Sequence, residues 1–506
     1  ERIYRESGDF QWVRETYKNA EEEGATRIEF GIEWQAVKTK GVYRRTIADN
    51  GGGMSPEELV GFFNTFGGGG KPIGGAHENF GVGAKTSLLP WNRYGMVVVS
   101  WKDGDAAMIW VMQDPESKEY GLKQWEVEDA DTGEVTLDSV CSPFEDEEHG
   151  CDWSAVKPKW IKDSGTVIVL LGNAPNEDTV MGDPNRDESD IKGISSYLNR
   201  RVWRVPAGVK LAVDELRATD KKKWPRNEAE AHGSQPKTGY DRRTNLRTVE
   251  GAENFVTYPD KSFTKGKLGA SGTVTLDDST EVDWYLWEGE RPAVQSYAAI
   301  SGFIGALYRN ELFDVTTNHL LYRSFGVTEA AVRSALWLIV RPPELDAEGK
   351  HGVYPRTDRN ALLLRGGPSA GEPLPLTTWG QQFSEQLPDP IFKALTAARG
   401  DKGGTITDQT WKDRIAERFG SRWRIVKLLF APKGKHTVTP TQPGGTPRPK
   451  AVKTAKKGGG GGGGGGTGGS LTIGSGPGPV PAVKKSVAGG IPSWRSCGAD
   501  DLGKGM

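Results

Sequence analysis

The stretch Asp49-Asn50-Gly51-Gly52-Gly53-Met54 follows a strand-like segment at residues 43–48. This order places Asp49 at the end of a strand, directly before a glycine-rich turn. A carboxylate there can accept a hydrogen bond from an exocyclic amine such as that of adenine, because the glycines let a flat ring approach the backbone. The same residues also make a favourable turn. The stretch alone leaves both interpretations open.

The segment at residues 12–23 has apolar residues at i, i+4 and i+7, which predicts a helix. Glu15 and Asn19 lie one turn apart on another face of it. A carboxylate beside a terminal phosphate can orient a water molecule, and an amide oxygen one turn away can ligate Mg²⁺. An amphipathic helix also exposes such residues on its wet face without any further role.

A second glycine segment, Gly81-Val82-Gly83-Ala84-Lys85-Thr86, superficially resembles a phosphate-binding P-loop. It lacks the contiguous Gly-Lys-Ser/Thr of that motif, because Ala84 separates Gly83 from Lys85. Its glycines still suit a helix N-terminus that presents amides to phosphate, with Lys85 adding a cation. A plain packing turn is the alternative.

Local patterns predict the elements around these segments. Ser55-Pro56-Glu57-Glu58 is a capping box that starts a helix reaching about residue 66, and the glycines of residues 67–75 predict a mobile loop. A second domain is expected to begin within residues 198–213. Strands are expected at residues 27–33, 43–48, 96–100, 106–112, 166–171, 273–276, 282–287 and 336–340.

The composition is that of a soluble globular protein, with 36% hydrophobic and 26% charged residues in 506. Cys141, Cys151 and Cys497 are too few for a disulfide scaffold and suit a reducing compartment. Together with His149 they lack the paired Cys-x-x-Cys spacing of a zinc site. No apolar run approaches the ~20 residues that cross a bilayer. These features predict a cytoplasmic protein with no membrane contact.

The C-terminal part is basic and glycine-rich. Residues 433–485 contain nine Lys or Arg and no Asp or Glu, and residues 458–466 are nine consecutive glycines. Such a segment cannot offset its ordering entropy, so it is expected to be disordered. Its charge fits either a sequence-independent DNA contact or a plain solvated linker, and both stay open.

Four segments in this order resemble the motifs of the GHKL superfamily of Bergerat-fold ATPases, which includes DNA gyrase, MutL and the MORC ATPases. They are Glu15-x-x-x-Asn19, Asp49-x-Gly51-x-Gly53-Met54, Gly81-x-Gly83 and Gly165-Thr166. The spelling of residues 79–87 is nearest to the MORC type. The resemblance covers about residues 1–175 and implies an α/β fold with three parts. These are a Bergerat-type α/β sandwich ATPase core (1–200), a transducer-like α/β domain (201–430) and a disordered Gly/Lys-rich tail (431–506).

The resemblance also implies a role for each matching residue. Glu15 would be the general base, Asn19 the Mg²⁺ ligand, Asp49 the adenine reader and Thr166 its water-linked support. A transducer cation, Arg359 or Arg356, would assist at the γ-phosphate, as would Lys85. Glu22 departs from the family, which more often has Asp there. The nucleotide cradle would consist of Gly51, Gly53, Met54, Gly81, Val82, Gly83, Ala84 and Lys85.

The sequence therefore predicts Mg²⁺-dependent ATP hydrolysis. The loop at residues 67–75 would act as a lid whose closure drives ATP-dependent homodimerisation, a conformational clamp that can act on DNA. One alternative is a chaperone or scaffold that binds ATP with little turnover. Another is a histidine kinase, which needs a phosphoacceptor His on a helix upstream of the core, whereas no His precedes His77.

Overall fold

The computed structural model describes most of the first 399 residues. The expected lid at 67–75, the cradle residues Gly81 and Val82, and the expected tail at 431–506 lie outside the described residues. The described residues are 4, 8–64, 83–128, 133, 135–184, 193–216, 218, 220–233, 246–257, 267–289, 301–346, 348, 350–356 and 359–399.

Helices and strands both recur along the described residues, which confirms the α/β class. The strands are β1 (Arg27–Glu33), β2 (Arg44–Asp49), β3 (Gly95–Lys102), β4 (Asp105–Gln113), β5 (Tyr120–Leu122), β6 (Trp125–Glu128), β7 (Val135–Asp138), β8 (Glu145–Asp146), β9 (Cys151–Asp152), β10 (Gly165–Gly172), β11 (Lys210–Asp214), β12 (Leu246–Val249), β13 (Lys267–Thr275), β14 (Glu281–Glu288), β15 (Ile304–Tyr308), β16 (Glu311–Thr316), β17 (Leu336–Arg341), β18 (Gly352–Pro355) and β19 (Leu362–Arg365). The helices are α1 (Gln11–Glu22), α2 (Trp34–Lys40), α3 (Pro56–Asn64), α4 (Gly83–Leu88), α5 (Ile194–Arg201), α6 (Glu228–His232), α7 (Ala252–Thr257), α8 (His319–Ser324), α9 (Ala330–Arg333), α10 (Leu376–Glu385) and α11 (Asp389–Ala398).

An eight-stranded sheet in the order β12-β11-β1-β2-β10-β3-β4-β5 forms the first layer. Successive residues of β3 point to opposite faces, as the strand pleat requires. Met96 and Val98 pack into the core under α1, which contributes Trp12 and Val13, whereas Val97 belongs to a separate core on the other face. Helix α1 therefore lies on the same face of the sheet as Met96 and Val98.

Local sequence signals explain where the helices near the site begin. The capping box is present, since the Ser55 N–H donates to Glu58 Oε2 at 2.8 Å and the Glu58 N–H donates to Ser55 Oγ at 3.3 Å. Helix α3 follows it with Pro56 in its first turn, as the sequence predicts. Helix α1 is followed by Gly24 with φ +74°, a left-handed conformation that glycine adopts without strain.

The second layer is a five-stranded sheet in the order β13-β14-β17-β15-β16. One face is covered by helices α8 to α11, which bury Tyr322, Trp379 and Phe383 against it. The other face packs against Trp203 and Val256. Within the described residues, none of the helices combines the length and the apolarity needed to span a bilayer.

The first sheet takes strands from beyond residue 200. Strand β11 pairs in parallel with β1, and β12 pairs with β11 in antiparallel fashion. Strands β11 and β12 thus extend the first sheet to Val249. The reason is a non-local pairing, Ile28 with Leu211, that local periodicity does not reveal. The three-part division of the chain stays a prediction.

Candidate active site

Asp49 lies at the end of β2, between β1 and β10. Its register partner on β10 is Thr166, so the two side chains are neighbours on one face of the sheet. Asp49 is half-buried, and its Oδ1 accepts the Gly51 N–H at 2.9 Å. Burial raises the pKa of Asp49 from 3.8 to about 6; the Gly51 hydrogen bond opposes this rise, and the Glu23 carboxylate adds to it.

A buried serine extends this polar row to a third strand. Ser100 on β3 is the register partner of Thr166, and their hydroxyl oxygens lie 3.1 Å apart. Ser100 Oγ also accepts the Met54 N–H at 2.8 Å, which fixes the end of the glycine turn. The sequence interpretation missed Ser100. Its only local signal is a hydroxyl within the otherwise apolar run at residues 96–100.

Close approaches of the backbone explain why two positions in this region require glycine. Gly53 has φ +67°, and a methyl group placed on it would lie 1.9 Å from the Trp101 carbonyl oxygen. A methyl group on Gly165 would lie 2.4 Å from the Asp49 carbonyl oxygen. The turn after Asp49 is therefore pressed against β3 and β10, and side chains at these two positions would force it away.

The same turn abuts the C-terminal end of α1. Asn50 Oδ1 accepts the N–H groups of Thr26 and Arg27 at 2.9 and 2.7 Å, which anchors the turn to the start of β1. A methyl group on Gly51 would lie 3.1 Å from the carbonyl oxygen of Glu23, the residue that directly follows α1.

The other end of α1 carries Glu15. Its Oε1 accepts hydrogen bonds from the Gln11 side-chain amide and from Arg14 Nη1, the latter at 2.5 Å. Its Oε2 lies against the first residue of α4, since a methyl group on Gly83 would lie 2.0 Å away. Asn19 follows one turn later and is half-buried. Helix α1 thus joins the two glycine segments that the sequence singles out.

Lys85 lies two residues after Gly83 on α4 and is buried. Its ammonium nitrogen lies 5.0 Å from the centroid of the Phe62 ring, and burial lowers the pKa of Lys85. Ala84, beside it, is half-buried. The structure therefore brings Gly83, Ala84 and Lys85 to the helix that contacts Glu15.

Arg359 and Asn360 lie beside the segment that leads into α1. The Arg359 N–H donates to the Arg356 carbonyl at 2.8 Å, and Arg359 has φ +58°. A methyl group on Gly8, which precedes α1, would lie 2.8 Å from Asn360 Oδ1. Arg359 consequently lies near the end of α1 that carries Glu15.

The cysteine and histidine segment lies on the opposite face of the first sheet, where Cys151 packs in the core with Trp153. His149 Nδ1 lies 2.8 Å from Asp146 Oδ2, and its Nε2 lies 2.8 Å from the Tyr94 hydroxyl. Among the described residues, no three His, Cys, Asp or Glu side chains converge as a metal site.

No protein-family model and no curated protein matches the chain. Solved structures are similar to it over most of its length. The B subunit of DNA gyrase from Myxococcus xanthus is 14% identical, with 77% of this chain and 92% of that chain covered and a TM-score of 0.35. The 43K ATPase domain of Thermus thermophilus gyrase B, in complex with an aminocoumarin, is 13% identical, with 82% and 92% covered and a TM-score of 0.30.

The N-terminal domain of a DNA repair protein is 12% identical, with 76% of this chain and 95% of that chain covered and a TM-score of 0.35. None of these three is described as a MORC-type protein. Identities of 12–14% and TM-scores of 0.30–0.35 assign no function to this chain. A functional assignment must come from the geometry of its own residues.

Proposed function

We propose that this chain is a Mg²⁺-dependent ATPase of the GHKL type. The observation that carries the proposal is that α1 connects the two glycine segments. The residue after its C-terminal end, Glu23, contacts Gly51. Near its other end, the Glu15 carboxylate contacts Gly83. Glu15 and Glu23 are eight residues apart, which is about 12 Å along a helix. That span suits a nucleotide lying along α1, with its base at Asp49 and its terminal phosphate at Glu15.

The base end has the chemistry to read adenine. The Gly51 N–H donates to Asp49 Oδ1, whereas Asp49 Oδ2 accepts no hydrogen bond from the described residues. An ionised carboxylate oxygen beside a glycine turn accepts a hydrogen bond from the exocyclic amine of adenine. Thr166, held by Ser100, presents a hydroxyl next to it and supports the ring through a water molecule.

The phosphate end has the chemistry for hydrolysis. Glu15 orients a water molecule and takes its proton as the water oxygen attacks the γ-phosphorus. The bond from that phosphorus to the β–γ bridging oxygen breaks, which leaves ADP and phosphate. Lys85 lies on α4, whose first residue contacts Glu15, and Arg359 precedes Asn360, which lies against Gly8 before α1. Both supply positive charge for the transferring phosphoryl group.

Asn19 would hold the Mg²⁺ ion together with phosphate oxygens. An amide oxygen is a hard donor, and Mg²⁺ in nucleotide sites is bound through few protein ligands plus substrate phosphates. The half-buried Asn19 fits this requirement, because it lies on α1 between the base end and Glu15. When bound, the ion would neutralise charge on the β- and γ-phosphates.

Calorimetry with a non-hydrolysable ATP analogue and Mg²⁺, combined with phosphate release from ATP, tests the proposed function. We expect saturable one-site binding and Mg²⁺-dependent turnover. Binding without turnover would move the assignment to an ATP-binding chaperone or scaffold. A wild-type chain that binds no analogue contradicts the nucleotide site altogether.

We further expect ATP to drive dimerisation through closure of the lid at residues 67–75, while the basic tail makes a separable DNA contact. Sedimentation of the full chain and of a chain ending at Leu429, with the analogue and with DNA, measures dimerisation and DNA binding. The nine cations at residues 433–485 predict DNA binding that falls steeply with salt and does not depend on sequence. A monomer at saturating analogue contradicts the clamp, and DNA binding that survives tail removal contradicts the tail contact.

A further inference from the structure

A buried ion-pair cluster joins α1 to the second sheet. Arg14 on α1 donates from Nε and Nη2 to the two carboxylate oxygens of Glu311 on β16, at 2.7 and 2.8 Å. Arg201 on α5 donates from Nε to Glu311 Oε2 at 2.9 Å. The residues of the first pair are 297 positions apart in the sequence, so the cluster exists only in the folded chain.

Glu15 completes the charge balance of this cluster. The side chains of Arg14, Glu311 and Arg201 are only 11%, 7% and 11% exposed. Two arginines and one glutamate would leave a net positive charge, which the contact from Arg14 to Glu15 offsets. Burial opposes ionisation of Glu311, but Arg14 and then Arg201 hold the pKa of Glu311 at about 2. The carboxylate is therefore ionised at neutral pH.

The shape of the guanidinium makes Arg14 a rigid connector. A guanidinium is planar, and its donors have a fixed fork geometry. Glu311 holds Nε and Nη2, so its carboxylate fixes the plane of the group and the position of Nη1, which donates to Glu15 Oε1.

Arg201 is held in turn by residues of the second layer. It donates to the carbonyl oxygens of Leu312 and Arg359 at 3.0 and 2.8 Å, and its guanidinium lies 3.8 Å from the centroid of the Phe313 ring. The position of β16 therefore determines the positions of both guanidinium groups.

We propose that Glu311 positions Glu15 through Arg14, so that the second sheet sets the orientation of the carboxylate that acts on water. The proposal rests on the proposed ATPase function. Arg14 and Glu311 are positioning residues, because they act through Glu15. Substitution of Glu311 should therefore lower kcat and leave nucleotide binding nearly unchanged.

The test measures kcat, KM and analogue affinity for Glu311→Gln and Glu311→Asp. We expect Glu311→Gln to lower kcat by about 10-fold to 10²-fold, the size of effect that misplacing a catalytic group produces, with KM within about twofold. Glu311→Asp keeps the charge and should recover part of the loss. In a Glu15→Gln background, Glu311→Gln should cause no further loss, because its effect passes through Glu15.

Asp283→Asn is the matched control, since it breaks a 2.8 Å ion pair with Arg341 in the same sheet and should leave kcat unchanged. If Glu311→Gln fails to fold, Glu311→Asp and Arg14→Lys, which keep both charges but change the geometry of the pair, must show a smaller kcat loss at constant KM. Wild-type kcat in the folded variants, or additive losses with Glu15→Gln, would overturn the positioning role while the ATPase assignment stands. A wild-type chain without turnover overturns both proposals.

Discussion

The Glu15→Ala protein is expected to bind ATP with near wild-type affinity and to hydrolyse it about 10²–10⁴-fold more slowly, the usual loss when a positioned base is removed. The reason is that Glu15 is proposed to act on the attacking water, whereas the nucleotide base is held at Asp49, at the other end of α1. Analogue calorimetry and phosphate release under saturating ATP measure the two effects separately.

Two further variants make this prediction specific. Glu15→Gln keeps the side-chain volume against Gly83 and an oxygen for Arg14, but it cannot take a proton from water. Wild-type turnover in that variant would show that Glu15 is not the base. Glu22→Ala changes an exposed carboxylate two turns further along α1. A loss there, with none at Glu15, would move the base to Glu22.

Removal of the Glu15 charge should also lower the stability of the apoprotein. Arg14 and Arg201 would then share a single carboxylate, and a buried charged donor that loses its partner costs on the order of 1–3 kcal/mol. A lower Tm of Glu15→Ala is therefore expected. Analogue binding should be measured well below that Tm, so that lost turnover is not confused with unfolding.

The sequence predicted the local parts of this site well, because each depends on neighbouring residues. The helix expected at residues 12–23 is α1, Gln11–Glu22, and the strand expected at residues 96–100 lies within β3, Gly95–Lys102. The capping box and the strand that delivers Asp49 are likewise present. Helical periodicity, strand alternation and turn chemistry all act over a few residues, so a sequence displays them directly.

The contacts that join these parts depend on tertiary structure. Ser100 becomes part of the site only through its register with Thr166, and Glu311 only through the packing of β16 on α1 and α5. In the sequence, Glu311 is one charged residue beside the apolar Leu312 and Phe313. Nothing local shows that it meets Arg14. The addition of β11 to the first sheet escapes prediction for the same reason.

The Asp49→Asn protein is expected to lose measurable ATP binding while gaining stability without nucleotide. The charge-assisted hydrogen bond to the adenine amine is worth about 1.5–3 kcal/mol, and Asn can also present its NH₂ to that amine. Asn keeps an oxygen for the Gly51 N–H, so the turn after β2 is preserved. The variant therefore separates the two interpretations of residues 49–54: a turn residue tolerates Asn, whereas an adenine reader does not.

The expected gain in stability of Asp49→Asn depends on pH, and the direction follows from the pKa of Asp49. Because burial raises the pKa of Asp49 from 3.8 to about 6, the folded state binds this proton more tightly than the unfolded state. The contribution of Asp49 is therefore fully stabilising below pH 3.8 and is lost as pH rises through about 6. Relative to wild type, Asp49→Asn should gain little at pH 4 and roughly 1–2 kcal/mol at pH 7.5, since about two pKa units set an upper limit near 3 kcal/mol. Urea unfolding of both apoproteins at these pH values, with analogue calorimetry at pH 7.5, measures the gain and the loss together. A less stable Asp49→Asn protein that still binds the analogue would show that Asp49 only forms a turn.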